Sequence, residues 1–284
     1  MRYSLFAGGK RLRPILTLAA ADAVARTRSS VVPALGVAEA MELALPAACG
    51  LELIHTYSLI HDDLPAMDND SLRRGRPTLH IVYGDGIAVL AADGLHAEAF
   101  ALIAREPSSN GKPDPELIRR KLWALRVIAD AAGPTGMVGG QAIDLQAAGQ
   151  VPGGRVALDA DGLRAMHARK TGALIRAAAV SGAIMAGADE GLAAVVDRFA
   201  TDIGLAFQIV DDILDVEGEA HDLGKTIGKD AASAKPTYPA LFGLDRSRTL
   251  AAECLSRAHQ TLSDARLTDG WLGAIAEWVV TRKN

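Results

Sequence analysis

Aromatic side chains are scarce in this sequence: Phe, Tyr and Trp together make up 4% of 284 residues. Strands usually draw on aromatic and β-branched residues, so a β-rich fold is disfavoured. Cysteine is scarcer still, with only Cys49 and Cys254 present. Two cysteines cannot make a disulfide framework, and their neighbours offer no zinc spacing. A reducing cytoplasm is the expected compartment. Positive charge is not in surplus either. The 30 Lys+Arg against 34 Asp+Glu leave a net charge of −4, so no nucleic-acid partner is expected. Long apolar runs are missing. The stretch 87–104 is interrupted by Asp93, His96 and Glu98, and the stretch 172–188 by Arg176. Neither supplies the roughly 20 uninterrupted apolar residues of a membrane helix, so no membrane span is expected. Gly8-Gly9-Lys10-Arg11 follows the first residues at once and leaves no room for an apolar signal core.

What is abundant is Ala and Leu, both good helix formers. Hydrophobic residues reach 49% and charged residues 23%, which excludes a disordered chain. At this length roughly 75% of the unfolded surface can be buried without a disulfide or structural metal. Apolar residues recur at three- and four-residue spacing over 14–26, 37–61, 87–105, 116–131, 163–185, 191–215, 239–244 and 249–265. No stretch alternates like a strand. The punctuation at 107–115, Gly133-Pro134, 152–154 and 218–236 is too short for a domain linker. The pattern predicts an all-α single domain over 1–284, an antiparallel bundle of about ten helices around one core.

Two aspartate clusters stand out, Asp62-Asp63 with Asp68 and Asp70, and Asp211-Asp212 with Asp215. Pro65 cannot continue a helix, so Asp62 and Asp63 should lie at a helix C-terminus. Asp211 and Asp215 are four apart, hence on one face, and Gly218 is expected to end their helix soon after. Carboxylates at a negative helix end each cost about 0.3–1 kcal/mol, and neighbouring like charges add to this. A bound cation reverses the sign of both effects. Oxygen-only clusters with open geometry suit Mg2+, which keeps waters and bridges to phosphate. Basic residues gather beside these acids: Lys10, Arg11 and Arg13; Arg73, Arg74 and Arg76; Lys170 with Thr171; Lys225 and Lys229. Guanidinium forks and lysine point charges grip phosphate oxygens. Acids for metal, bases for anions and apolar helices leading up to both describe a site for diphosphates with a greasy tail.

These residues resemble a known family. Gly8-Gly9-Lys10-Arg11-Leu12-Arg13-Pro14, the block 51–77, Gly139-Gly140-Gln141 with Asp144, Lys170-Thr171-Gly172, the block 204–215, Leu223-Gly224-Lys225-Thr226 and 235–244 occur in order. The set is similar to the trans-isoprenyl diphosphate synthases (polyprenyl synthetases), nearest the bacterial farnesyl diphosphate synthases. The resemblance implies an isoprenoid-synthase helix bundle around a deep apolar cavity, with both acidic motifs facing each other at its mouth. It implies Asp62, Asp68 and Asp211 as ligands of three Mg2+ ions, with Asp63, Asp212 and Asp215 as further ligands or holders of metal-bound water. Arg73, Lys170, Lys225 and Lys235 would hold an allylic diphosphate. Lys10, Arg13, His55 and Arg74 would hold isopentenyl diphosphate, and Thr171 and Gln208 would stabilise the allylic cation. A homodimer is implied. So is a further helix ahead of Gly8, which this chain is expected to lack.

Tyr57 lies five residues before Asp62, roughly 7.5 Å deeper by helix rise. With Ser58 beside it, it is the candidate floor that sets chain length. In the resembling enzymes an aromatic here, with the Pro65-Ala66 expansion of the first motif, accompanies a fifteen-carbon product. The implied activity is condensation of isopentenyl diphosphate with dimethylallyl or geranyl diphosphate to farnesyl diphosphate. Geranylgeranyl or geranyl diphosphate synthesis is the alternative within the family. Outside it stand two rivals, an HD-type metal phosphohydrolase suggested by His61-Asp62 and a non-catalytic prenyl synthase subunit. The first leaves Asp211 and Asp215 unexplained. The second usually lacks one acidic motif, and both are present here. Gly139-Gly140 follows no strand, so it reads as a site of close helix packing rather than a nucleotide loop.

Overall fold

The computed structural model describes residues 1–28, 35–107, 114–221 and 237–283. The elements run in chain order as α1 Arg2–Leu5, α2 Leu12–Arg28, α3 Val37–Asp62, α4 Leu79–Tyr83, α5 Asp85–Arg105, α6 Pro115–Ala132 and α7 Met137–Ala148. They continue as α8 Ala160–His167, α9 Ala173–Met185, α10 Glu190–His221, α11 Tyr238–Phe242, α12 Leu244–Asp264 and α13 Leu272–Thr281. A two-residue ladder, β1 Leu72–Arg73 with β2 Arg76–Pro77, is the β structure among the described residues. The chain is all-α, as its composition predicts.

The scarcity of aromatics shapes the core. Much of the buried apolar surface is alanine, for example Ala20, Ala44, Ala92, Ala178 and Ala200, interleaved with Leu16, Leu51, Ile54, Ile175 and Phe199. Small side chains let helices approach closely, so α2, α3, α9 and α10 pack against one another at the centre. The layer outside them consists of α5 on α3, α6 on α9 and α12 on α10. By length and hydropathy alone α5 qualifies as a membrane span. Its stripe of Ala88, Ala92, Leu95, Ala99 and Ile103 is instead buried, on the helix face that meets α3.

The first acidic cluster lies where Pro65 places it, with α3 ending at Asp62 and Asp63 as its C-cap. The second differs from the expectation. The helix carrying Asp211, Asp212 and Asp215 continues through Gly218 to His221. A glycine costs a helix only about 1 kcal/mol relative to alanine, which tertiary contacts override. One such contact is the ion pair of Glu217 with Arg248 on α12. Four helices are missing from the periodicity: the one-turn α1 and the short α4, α7, diluted by Gly139 and Gly140, and the short α13. The predicted single helix over 163–185 is broken by a wide π-helical turn at Ala168–Gly172. Such turns concentrate at functional sites, because the extra residue re-aims the side chains on it.

Candidate active site

A cavity of about 520 Å3 opens among α2, α3, α7, the π-helical turn and α10. Arg13, His55, Tyr57, Ser58, Asp62, Lys170, Thr171 and Asp211 line it, so residues from both acidic motifs and from the basic clusters share one chamber. Apolar wall comes from Met137, Val138, Leu145 and Phe207.

The first motif curls back on its helix. The Asp68 N–H donates to the Asp62 carbonyl at 2.9 Å, and the Asp70 N–H to the Asp63 carbonyl at 3.1 Å. This brings the Asp68 charge beside Asp62. Burial, with the Asp68 and Asp63 charges nearby, pushes the Asp62 carboxyl up to about 6. Burial also raises Asp211. A carboxylate held desolvated and close to like charge, as Asp62 is, fits a hard divalent cation, which offsets both penalties and prefers oxygen donors. Among the described residues no three ligands are already gathered around one point. Water or substrate oxygens would have to complete the coordination of an ion held by Asp62 or Asp211.

The neighbouring aspartates face other partners. Asp63 is buried and accepts from Arg73 Nε at 2.7 Å. Asp212, also buried, accepts from Gln208 Nε2 at 3.0 Å and from the Tyr238 N–H at 2.9 Å. Arg73 thus braces the first motif, and Asp212 anchors Gln208 and the start of α11. Asp215 is exposed one turn beyond Asp211 on α10.

The π-helical turn carries Lys170 and Thr171 into the cavity. Lys170 Nζ is paired at 2.5 Å with Asp144 of α7, and Thr171 Oγ1 donates to Gln208 Oε1 at 3.0 Å. The turn packs on α7 at Gly140, where an added Cβ would stand 2.2 Å from the Lys170 nitrogen. Gly204 plays the same part from α10, with 3.2 Å to the Gly172 Cα. The glycines of 139–141 and 204 are therefore close-packing residues.

A basic lobe forms one side. Burial and the charges of Arg13, Arg74, Arg73 and Arg11 hold His55 well below the usual histidine range, hence neutral. Burial lowers Arg13 to about 10. Arg74 rests against Gly9 and donates to the Gly8 carbonyl. Lys10 lies within electrostatic reach of Asp211. Lys225 and Lys235 lie outside the described residues.

Three partners escaped the sequence reading. Arg11 pairs with Glu52 inside α3, His167 is buried with Nε2 at 3.8 Å from Asp212, and Arg282 pairs with Asp211 at 2.5 Å. Each joins positions far apart in sequence or on different helices, and no local spacing announces them.

At the deep end Tyr57 is buried, with its ring 4.5 Å from that of His96. His96 in turn meets Phe100 at 5.3 Å. Tyr57 lines the cavity, with the His96 and Phe100 rings packed in sequence behind it.

Comparisons with known proteins agree with this geometry. A family model described as Polyprenyl synthetase matches residues 1–267. A geranylgeranyl diphosphate synthase of Cyanophora paradoxa is 43% identical over 284 residues, 100% of this chain and 87% of that protein. A farnesyl diphosphate synthase of Geobacillus stearothermophilus is 43% identical over 282 residues, 99% of this chain and 87% of that one. The crystal structure of a geranyltransferase from Helicobacter pylori, complexed with magnesium and isoprenyl diphosphate, superposes with a TM-score of 0.78 at 31% identity. That match covers 98% of this chain and 85% of the other.

Proposed function

The chain belongs to the polyprenyl synthetase family, and from that premise we propose that it is a magnesium-dependent prenyltransferase making farnesyl diphosphate. One observation carries the reading: Asp62, Asp211, Arg13, Lys170 and Thr171 line a single cavity together with the Tyr57 ring. In this reading the whole of 1–284 is one catalytic domain acting in the cytoplasm.

Asp62, Asp68 and Asp211 would hold Mg2+, three ions in all. Bound there, the metal supplies Lewis-acid pull on a leaving diphosphate. Lys170, oriented by Asp144, takes the allylic diphosphate together with Arg73, Lys225 and Lys235. Arg13, Lys10, Arg74 and neutral His55 hold isopentenyl diphosphate. The Thr171 proton is committed to Gln208. The lone pairs of Oγ1 thus remain as a negative dipole end on the cavity wall, where the allylic cation develops. The allylic C–O bond breaks with its electron pair leaving on diphosphate. The isopentenyl double bond forms the new C–C bond, and the proton then lost goes to the departing diphosphate. Apolar Met137, Leu145 and Phe207 keep out the water that would quench the cation.

The second reading is geranylgeranyl diphosphate synthesis, favoured by the equal identity to the Cyanophora enzyme. A homodimer belongs to the same proposal. Ile81, Val82, Tyr83, Ile87 and Leu90 of α4 and α5 are exposed side by side, the kind of patch that marks a protein interface.

Incubating the chain with Mg2+, isopentenyl diphosphate and dimethylallyl diphosphate tests the proposal. A C15 diphosphate lost on adding EDTA is expected. A C20 product moves the assignment to the second reading, and no condensation at all overturns it. Metal binding should also follow pH. Protons compete with metal for Asp62, which titrates near 6. Mn2+ affinity, read by EPR, is expected to be flat above about pH 7 and to fall toward about tenfold per pH unit below 6. Asp62→Asn should remove that step, and an affinity independent of pH in wild type contradicts the assignment.

A further inference from the structure

Arg282, just past α13, has a side chain only 1% exposed. Its Nη2 donates to Asp211 Oδ1 at 2.5 Å and to the Phe207 carbonyl at 2.8 Å. The guanidinium lies 3.8 Å over the Phe207 ring and 5.9 Å from that of Trp278. Nε and Nη1 are buried with no hydrogen-bond partner. A buried cation is tolerated when paired and hydrogen-bonded, and unpaired donors make it costly. Arg282 is thus held by one carboxylate, one carbonyl and two aromatic faces, while much of its donor capacity is unused. Asp211 is the only carboxylate hydrogen-bonded to it among the described residues.

The same carboxylate lines the cavity from the second acidic motif. A divalent ion and a guanidinium on one carboxylate repel each other strongly at low effective dielectric. One must give way.

We propose that Arg282 is the resident counter-cation of Asp211, holding the cation position of the second acidic motif until divalent metal displaces it. The inference rests on the metal role given above to Asp211 and adds a competition that role does not contain. The protein's own arginine weakens metal binding when substrate is absent. It also gives the part-exposed Asp211 its hydrogen-bonded cation when no metal is bound.

Mn2+ binding to the full chain, measured by EPR without diphosphate, tests this. Arg282→Gln is expected to bind about tenfold tighter than wild type, and Arg282→Lys within about threefold of it. Asp211→Asn is expected to bind at least about tenfold more weakly. A second readout follows displacement directly. Trp278 emission, isolated as the difference between wild type and Trp278→Phe, should change on adding Mg2+, and the change should vanish in Asp211→Asn. Weakened Asp211→Asn with unchanged or weaker Arg282→Gln overturns the role of Arg282 and leaves the metal reading standing. Should Arg282→Gln not fold, a wild-type Trp278 signal that ignores Mg2+ also overturns it. Asp211→Asn binding metal like wild type overturns the metal reading, and the inference falls with it.

Discussion

Replacing Asp62 by Ala is expected to lower kcat by about 10^3-fold or more, because the metal-borne charge stabilisation on the leaving diphosphate is lost. Asp211→Ala should do the same. Turnover within tenfold of wild type for either variant would sink the assignment. Their stabilities separate a functional loss from a structural one. Metal-free Asp62 is desolvated and crowded by Asp68 and Asp63, so it titrates near 6 rather than in the usual carboxylate range. Removing it relieves like-charge burial, and the Tm of the metal-free Asp62→Ala protein is expected to rise by a few degrees, or at least not to fall. Asp211 differs, since its loss leaves the buried Arg282 guanidinium without its carboxylate. Leaving a buried cation without its carboxylate is destabilising. The Tm of Asp211→Ala is therefore expected to drop, although its catalytic defect matches that of Asp62→Ala. Opposite stability shifts with equal kinetic defects separate this account from a general unfolding effect.

How far such a site can be read from sequence depends on whether its determinants are local. Pro65 forbids helix continuation within its own turn, so the end of α3 at Asp62 was legible. The Lys170-Thr171 pair and both aspartate runs were visible for the same reason: type and spacing carry them. The fate of neighbouring aspartates was not. Asp62 and Asp63 are adjacent residues, yet one lines the cavity and the other is clamped by Arg73. Asp211 and Asp212 divide likewise, between the cavity and the Gln208 amide. Successive helical residues point about 100° apart, so a doubled aspartate nearly always sends its two carboxylates to different partners. The partners are supplied by segments the spacing cannot bring together. Helix lengths failed where glycine was weighed by propensity alone. Gly218 stops nothing because Glu217 is paired across to α12, and Gly139 and Gly140 sit inside α7 because α7 must touch the π-helical turn. The turn itself has no composition signal. What surrounds it is tertiary, the close approach of Gly140 and Gly204 to the turn.

The product of Tyr57→Ala is expected to lengthen from C15 toward C20 and beyond. On the proposed reading a growing prenyl chain would extend from the diphosphate end, at Asp62 and Lys170, along the apolar wall toward Tyr57. Each added isoprene unit must find space below that ring. Tyr57 is nearly fully buried and backed by His96, which is backed by Phe100. A large-to-small change in such a stack leaves a cavity, because the surroundings relax only in part. Here the cavity is continuous with the chamber, so it becomes chain-binding volume. His96 would then be the new floor. Burial lowers its titration point, so at neutral pH it presents an uncharged ring that a prenyl tail tolerates. Tyr57→Ala with His96→Ala should therefore lengthen the product further than Tyr57→Ala alone, whereas His96→Ala behind an intact Tyr57 should change it little. Tyr57→Phe keeps the ring and should keep the wild-type product, since the hydroxyl takes no part in the steric argument. Mass analysis of the dephosphorylated products resolves all four. A Tyr57→Ala enzyme with unchanged chain length would place the limit elsewhere on the wall, with Ser58 of the same helix the next residue to vary.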